Sequence, residues 1–209
     1  MRTLLLALLL VSGWAAAGSV DTPGEFDYYV FTLSWSPQYC AGKGNPNEPQ
    51  CARPYGFVVH GLWPQNERGY PERCGRGEYL SDRLISRMLP LMPSKSLIIH
   101  EWQAHGVCSG LDAAGYFAAV ERASASVKIP ARYQQTSAYL NVSPRELEQD
   151  FIAANPRLSS ESIAVNCGGR YLREVRFCLT RELKPRDCSR EVHDACGSSA
   201  LLRPVTALH

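Results

Sequence analysis

The chain has 209 residues and a formal charge of +2, from 22 basic and 20 acidic side chains. This near-balance excludes a protein that tracks a long polyanion by charge alone, which would be far more basic. A nucleic-acid partner would have to be held by a few phosphates in a cleft. The basic residues are mainly arginine, whose planar fork suits bidentate phosphate contacts.

Arg2 gives a short positive start, residues 4–11 form an apolar run, and Ala15-Ala16-Ala17 offers a small-residue cleavage site. That order is the pattern of a secretory signal peptide. The run is shorter than the roughly 20 residues that cross a bilayer. Cleavage after Ala17 removes Arg2, lowers the charge by one to +1, and leaves residues 18–209 as a single domain. No later segment is apolar enough to span, so the mature chain is expected to be secreted or periplasmic. Eight cysteines suit an exported chain. They are Cys40, Cys51, Cys74, Cys108, Cys167, Cys178, Cys188 and Cys196. An even count predicts about four disulfides, but spacing leaves all 105 pairings open. No C-x-x-C pair points to a zinc ribbon or a redox site.

In chain order, residues 28–35 (YYVFTLSW) are aromatic and β-branched and predict a strand. Residues 41–54 are rich in Gly, Pro and Asn and read as a loop that Cys40 and Cys51 flank. Residues 57–60 predict a short strand ending at Gly61. Ser81 opens a helix carrying Leu84, Ile85, Met88 and Leu89 on one face. Ser109 with Asp112 marks a second helix start, before Tyr116, Phe117 and Val120. Ser143-Pro144-Arg145-Glu146 is a capping box with proline at the first helical position. Across residues 171–180, Val175, Phe177 and Leu179 alternate with Glu174, Arg176 and Cys178, as in a half-buried strand. Helices between flanking strands predict an α+β domain, a central antiparallel sheet packed with helices.

Three of the five histidines fall in two segments, residues 57–65 (FVVHGLWPQ) and residues 100–108 (HEWQAHGVC). The second resembles the zinc motif H-E-x-x-H, but that motif places its histidines four apart on one helical face. His100 and His105 are five apart, about 140° around an ideal helix. Glu101 and His105 are four apart and share a face. A carboxylate beside an imidazole raises its basicity and orients it, which suits a general base better than a metal ligand. In-line attack at a phosphodiester also needs an acid for the leaving oxygen and a stabiliser for the phosphorus. His60 is the available acid, and His100 can stay cationic and hold a phosphate oxygen. Singly, each residue has an ordinary alternative: His60 as a strand-end hydrogen-bonder, Trp63 and Trp102 as core, Glu101 as a solvated helix residue. Together they point to a site.

The two segments resemble the ribonuclease T2 family, exported transferase-type acid ribonucleases of low base specificity. Residues 57–64 fit that family's first active-site segment and His100 to Cys108 fit its second. Residues 33–40 (LSWSPQYC) look like its first strand and following turn. The resemblance implies His60 as general acid, His105 as general base, Glu101 as support for the base and the pentacovalent transition state, and His100 as phosphate binder. It implies base stacking by Trp63, substrate contacts by Gln65 and Tyr70, and the pairs Cys40–Cys51, Cys74–Cys108, Cys167–Cys196 and Cys178–Cys188. The expected protein is a monomeric endoribonuclease without cofactor or metal. It would cleave single-stranded RNA by 2′-OH attack, through a 2′,3′-cyclic phosphate to 3′-phosphate ends, and leave DNA intact. The chain departs from the family at Ala104, where lysine is usual, at Gln65, where an acid is usual, and at Leu97-Ile98-Ile99, where aromatics are common. A catalytically weak or inactive secreted binding or defence protein on the same scaffold is the alternative, and a zinc hydrolase is disfavoured by the five-residue spacing.

Overall fold

The computed structural model describes residues 21–42, 47–72 and 74–206. The leader read over residues 1–17 and part of the loop at 41–54 lie outside them. The elements run β1 (Tyr28–Trp35), α1 (Ser36–Gly42), β2 (Phe57–Gln65), α2 (Asp82–Met88), α3 (Lys95–Ala104), α4 (Ala113–Ser126), β3 (Leu140–Val142), α5 (Pro144–Ala154), β4 (Ile163–Gly168), β5 (Tyr171–Leu179) and β6 (Ala200–Leu202).

The sheet order is β2-β1-β5-β6-β3, with β4 also paired to β5. The pairings are antiparallel except for the short β5–β6 contact at Tyr171 and Leu201. One face of the sheet carries Phe31, Leu33, Val59, Val165, Val175 and Phe177 into the main core, beneath helices that contribute Phe117, Val120, Leu147 and Phe151. Phe57, Tyr133, Phe151 and Phe177 meet there in three edge-on pairs and one stacked pair, Tyr133 with Phe151, the geometries that ring quadrupoles favour. Across the opposite face, Ser34 of β1 stands between Val58 of β2 and Glu174 of β5, and Thr32 between Gly61 and Arg176. The polar half of the β5 alternation therefore does not face open water. It lines the site.

The helix starts rest on side-chain caps. Ser81, Ser94, Asp112 and Ser143 accept backbone N–H groups of Leu84, Leu97, Gly115 and Glu146, each cap contributing about 1 kcal/mol. Asp112, rather than Ser109, caps α4, because residues 106–109 form a separate 3-10 turn. The strand expected to end at Gly61 continues to Gln65. Gly61 does not turn the chain; it pairs with Thr32.

The disulfides among the described residues are Cys40–Cys51, Cys74–Cys108, Cys167–Cys196 and Cys178–Cys188, the pairing that the resemblance implies. No described helix is long and apolar enough to cross a membrane.

Candidate active site

Between Thr32 and Leu33 the β1–β2 register shifts, so Thr32 faces Gly61, Leu33 faces Val59, and His60 has no partner across the ladder. His60 is the extra residue of a β-bulge, a device that re-aims a side chain. Its Nδ1 lies 2.9 Å from Glu174 Oε1 and 3.1 Å from Ser34 Oγ. Its Nε2 points the other way, 3.5 Å from Glu101 Oε1.

Glu101 projects from α3 and is only 1% exposed. Its Oε2 accepts the Trp63 Nε1–H at 2.7 Å. Its Oε1 is buried with no hydrogen-bond partner among the described residues. The Trp63 ring lies 5.2 Å from that of His60 and 5.3 Å from that of His105. The His100 ring is 6.2 Å from His105, edge-on, and is exposed. Trp63 thus joins the two sequence segments into one site.

The environments push the ionisations apart. Burial works to lower His60, but the hydrogen bond to Glu174 and the charges of Glu101 and Glu174 outweigh it, against Arg176, and raise its pKa. His105 is pushed down to about 4 by burial and by the charges of His100 and His60. Burial lifts Glu101 to about 7, against the charge of His60 and the Trp63 hydrogen bond. Burial would lift Glu174 too, but the hydrogen bond from His60 and the charges of His60 and Arg176 hold it at about 2.

Several expectations change. Glu101 does not act on His105 through a shared helical face. Helix α3 stops at Ala104, His105 leaves the helical path at φ −125°, and the carboxylate turns to Trp63 and His60. Burial, with the charges of His100 and His60, leaves His105 less basic than an ordinary imidazole, not more. The same departure undoes the spacing argument against a cation: ligand atoms of His100, Glu101 and His105 lie within 4.8 Å of one another. Gln65 is buried and donates its amide to the Gly69 carbonyl at 2.6 Å, closing the loop after β2. One amide N–H of Gln65, where the resemblance implies a substrate contact, is thus held inside the protein. Tyr70 is exposed beyond that loop. Trp102 is core, its Nε1–H donated to the Glu78 carbonyl. Lys95 pairs with Asp82 at the far end of α3 and does not replace the lysine missing at Ala104. A cation in the site is Arg176, 5.3 Å from the Trp63 ring centre and ion-paired to Glu174.

Glu174 and Arg176 were not singled out from the sequence as site residues. The signal that could have found them is the pair of opposite charges on the polar side of an otherwise buried strand. A cavity of about 590 Å³ opens beside His60, lined by Ser34, Gln38, Ser94, Leu97, His100 and Glu174 among others.

Solved structures share this architecture. A ribonuclease-related protein from Calystegia sepium superposes with a TM-score of 0.71 at 21% identity, covering 87% of this chain and 99% of its own. Ribonuclease MC1 from bitter gourd seeds does so at 0.65 and 22% identity, over 84% and 99%. A ribonuclease of Aeromonas hydrophila is 38% identical over 98% of this chain and 99% of its own length. Ribonuclease DdI of Dictyostelium discoideum is 27% identical over 97% of each. The scaffold is that of a ribonuclease. More narrowly, the ribonuclease T2 family model matches residues 26–188, and the chain belongs to that family as one of its endoribonucleases.

Proposed function

We propose that the protein cleaves single-stranded RNA by acid–base transesterification, with His105 as base and His60 as acid. The observation that carries this reading is the opposite shift of the two histidines, His105 down to about 4 and His60 up, on either side of Trp63. In mild acid the first is neutral and the second charged, the states that a base and an acid need.

His105 takes the ribose 2′-OH proton, and the oxygen attacks the adjacent phosphorus. His60 protonates the departing 5′-oxygen from Nε2, leaving a 2′,3′-cyclic phosphate. With roles reversed, water opens the ring to a 3′-phosphate. Glu101, pushed up to about 7, is a neutral carboxyl in mild acid, and its unpartnered oxygen can donate to a phosphoryl oxygen as charge builds there. His100, exposed at the rim, holds phosphate. The nucleoside leaving on the His60 side enters the cavity beside that residue. Tyr70, exposed and with its hydroxyl hydrogen-bonded to Glu72, offers its ring to stack on a base. Trp63 is bound into the site through Glu101 and Arg176, which supports an ordering role beside stacking. DNA has no 2′-OH to attack. Low base specificity is part of the proposal, as are metal independence, a monomeric state, and export of residues 18–209 as one domain after loss of the leader.

The test is incubation of the protein with single-stranded RNA and with DNA in excess EDTA. RNA fragments ending in cyclic or 3′-phosphate, with DNA intact, are expected. Loss of RNA cleavage in EDTA, restored by zinc at His100, Glu101 and His105, would overturn the histidine-only mechanism. Binding of RNA without cleavage at any acid pH would favour the inactive binding or defence protein instead.

A further inference from the structure

We propose that Glu174 is the positioning residue of the acid: it holds His60 by Nδ1 so that the proton on Nε2 is the one presented to the leaving oxygen. The inference rests on the reading of His60 as the acid and adds a residue from the far side of β1.

The geometry admits one arrangement of protons. Glu174 is 6% exposed, and its Oε2 is held by the Arg176 guanidinium at 2.9 Å. Arg176 cannot give up its charge, so the carboxylate it holds stays ionised and acceptor-only. The 2.9 Å contact between Glu174 Oε1 and His60 Nδ1 therefore requires the hydrogen on Nδ1. Neutral His60 then carries its lone pair on Nε2, and charged His60 carries there the proton that it can release. Which ring nitrogen titrates is set by the bond the other one makes. Three strands bring this bond about. Ser34 of β1 pairs with Glu174 of β5 on one side and Val58 of β2 on the other. The bulge at His60 then turns its ring back across Ser34 to meet the carboxylate. Without the extra residue the two side chains would not converge. Arg176 holds the carboxylate and also lies over Trp63, so the same guanidinium fixes both neighbours of the acid.

The charged groups facing His60 are Glu174 and Arg176 from β5, Glu101 from α3, and His105 at the end of α3. In mild acid Glu174 favours its charged form and Arg176 opposes it, while Glu101 adds to the first only once ionised and His105 to the second only once protonated. Replacing Glu174 by glutamine keeps the shape, removes one favourable charge and leaves Arg176 uncompensated. His60 should then lose its proton at lower pH.

The test compares wild type, Glu174→Gln, Glu174→Asp and Arg176→Gln in the oxidised full-length protein. It uses a dinucleoside monophosphate as substrate and NMR titration of the His60 ring. For Glu174→Gln the alkaline limb of the kcat profile should move to lower pH by about one unit. Above that limb kcat should fall about tenfold, since one unit is tenfold in protonated fraction. KM should stay within about twofold. Glu174→Asp should recover part of the shift, and Arg176→Gln should move the limb the other way, which also serves if the glutamine variant does not fold. A limb that stays in place in both variants overturns the proposal, as does a uniform loss at every pH or an effect confined to KM. If the His60 titration moves in Glu174→Gln but the alkaline limb does not follow, the pairing stands and the assignment of His60 as the acid fails.

Discussion

A methyl group on Gly61 would stand 2.7 Å from Glu101 Cδ and 2.6 Å from Trp63 Nε1, inside the hydrogen bond that joins those two residues. The glycine after His60 is needed for close approach, not for a turn. Gly61→Ala should push the Glu101 carboxylate and the Trp63 indole apart. A displacement of about 1 Å can cost on the order of 10² in rate, and overpacking about 1–3 kcal/mol in stability. Kinetics beside thermal unfolding check this: near-normal kcat/KM would show that the Glu101–Trp63 bond is not needed.

Removal of either histidine should cost about 10²–10⁴ in kcat, with folding preserved, since both side chains lie at the cleft rather than in the core. Because both act in one transition state, His60→Ala with His105→Ala should lose less than the product of the single losses. His100→Ala should act mainly on KM. Normal turnover in His105→Ala would remove it from the mechanism.

The pH dependence follows from the two opposite shifts. His105 must be neutral, so the rate rises with pH through about 4, where it loses its proton. His60 must be charged, so the rate falls as pH climbs past its raised pKa, above the ordinary 6.5. The expected kcat/KM profile is a bell lying between those limits. A maximum at alkaline pH would contradict both assignments.

The Cys74–Cys108 bond closes 34 residues and ties the loop before α2 to the 3-10 turn that follows His105. Its replacement by two serines should cost about 2–4 kcal/mol, chiefly by freeing the unfolded chain. Urea unfolding should show a lower midpoint. Activity should fall before the protein melts, since His105 sits three residues from Cys108.

Gln65 and Tyr70 should separate cleanly. Gln65→Ala removes the bond to the Gly69 carbonyl and should cost about 1 kcal/mol, while relative rates on different dinucleotides stay unchanged. Tyr70→Ala should raise KM and leave stability alone. A changed base preference in Gln65→Ala, with no loss of stability, would return that residue to the substrate side.

Much of this protein was legible in the order of its residues. Residues 28–35 and 171–180 alternate or cluster apolar side chains as strands do, and Ser81 and Ser143 announce helices by local hydrogen bonding that needs no tertiary partner. The His60 and His100–His105 segments carried the family resemblance, and with it the cysteine pairs. Glu174, Arg176 and the true partner of Glu101 could not be read that way. Glu174 is 114 positions from His60, and only the β2-β1-β5 order with the bulge at His60 brings them together. Helical spacing paired Glu101 with His105, but the helix ends one residue too soon. The fall of His105 to about 4 and the rise of Glu101 to about 7 arise from burial among particular charges. Local periodicity therefore marked the strands and helices, and the two short segments marked candidates for the chemistry. Which of them meet, and in what state of charge, was decided by long-range pairing and desolvation, which no spacing along the chain encodes.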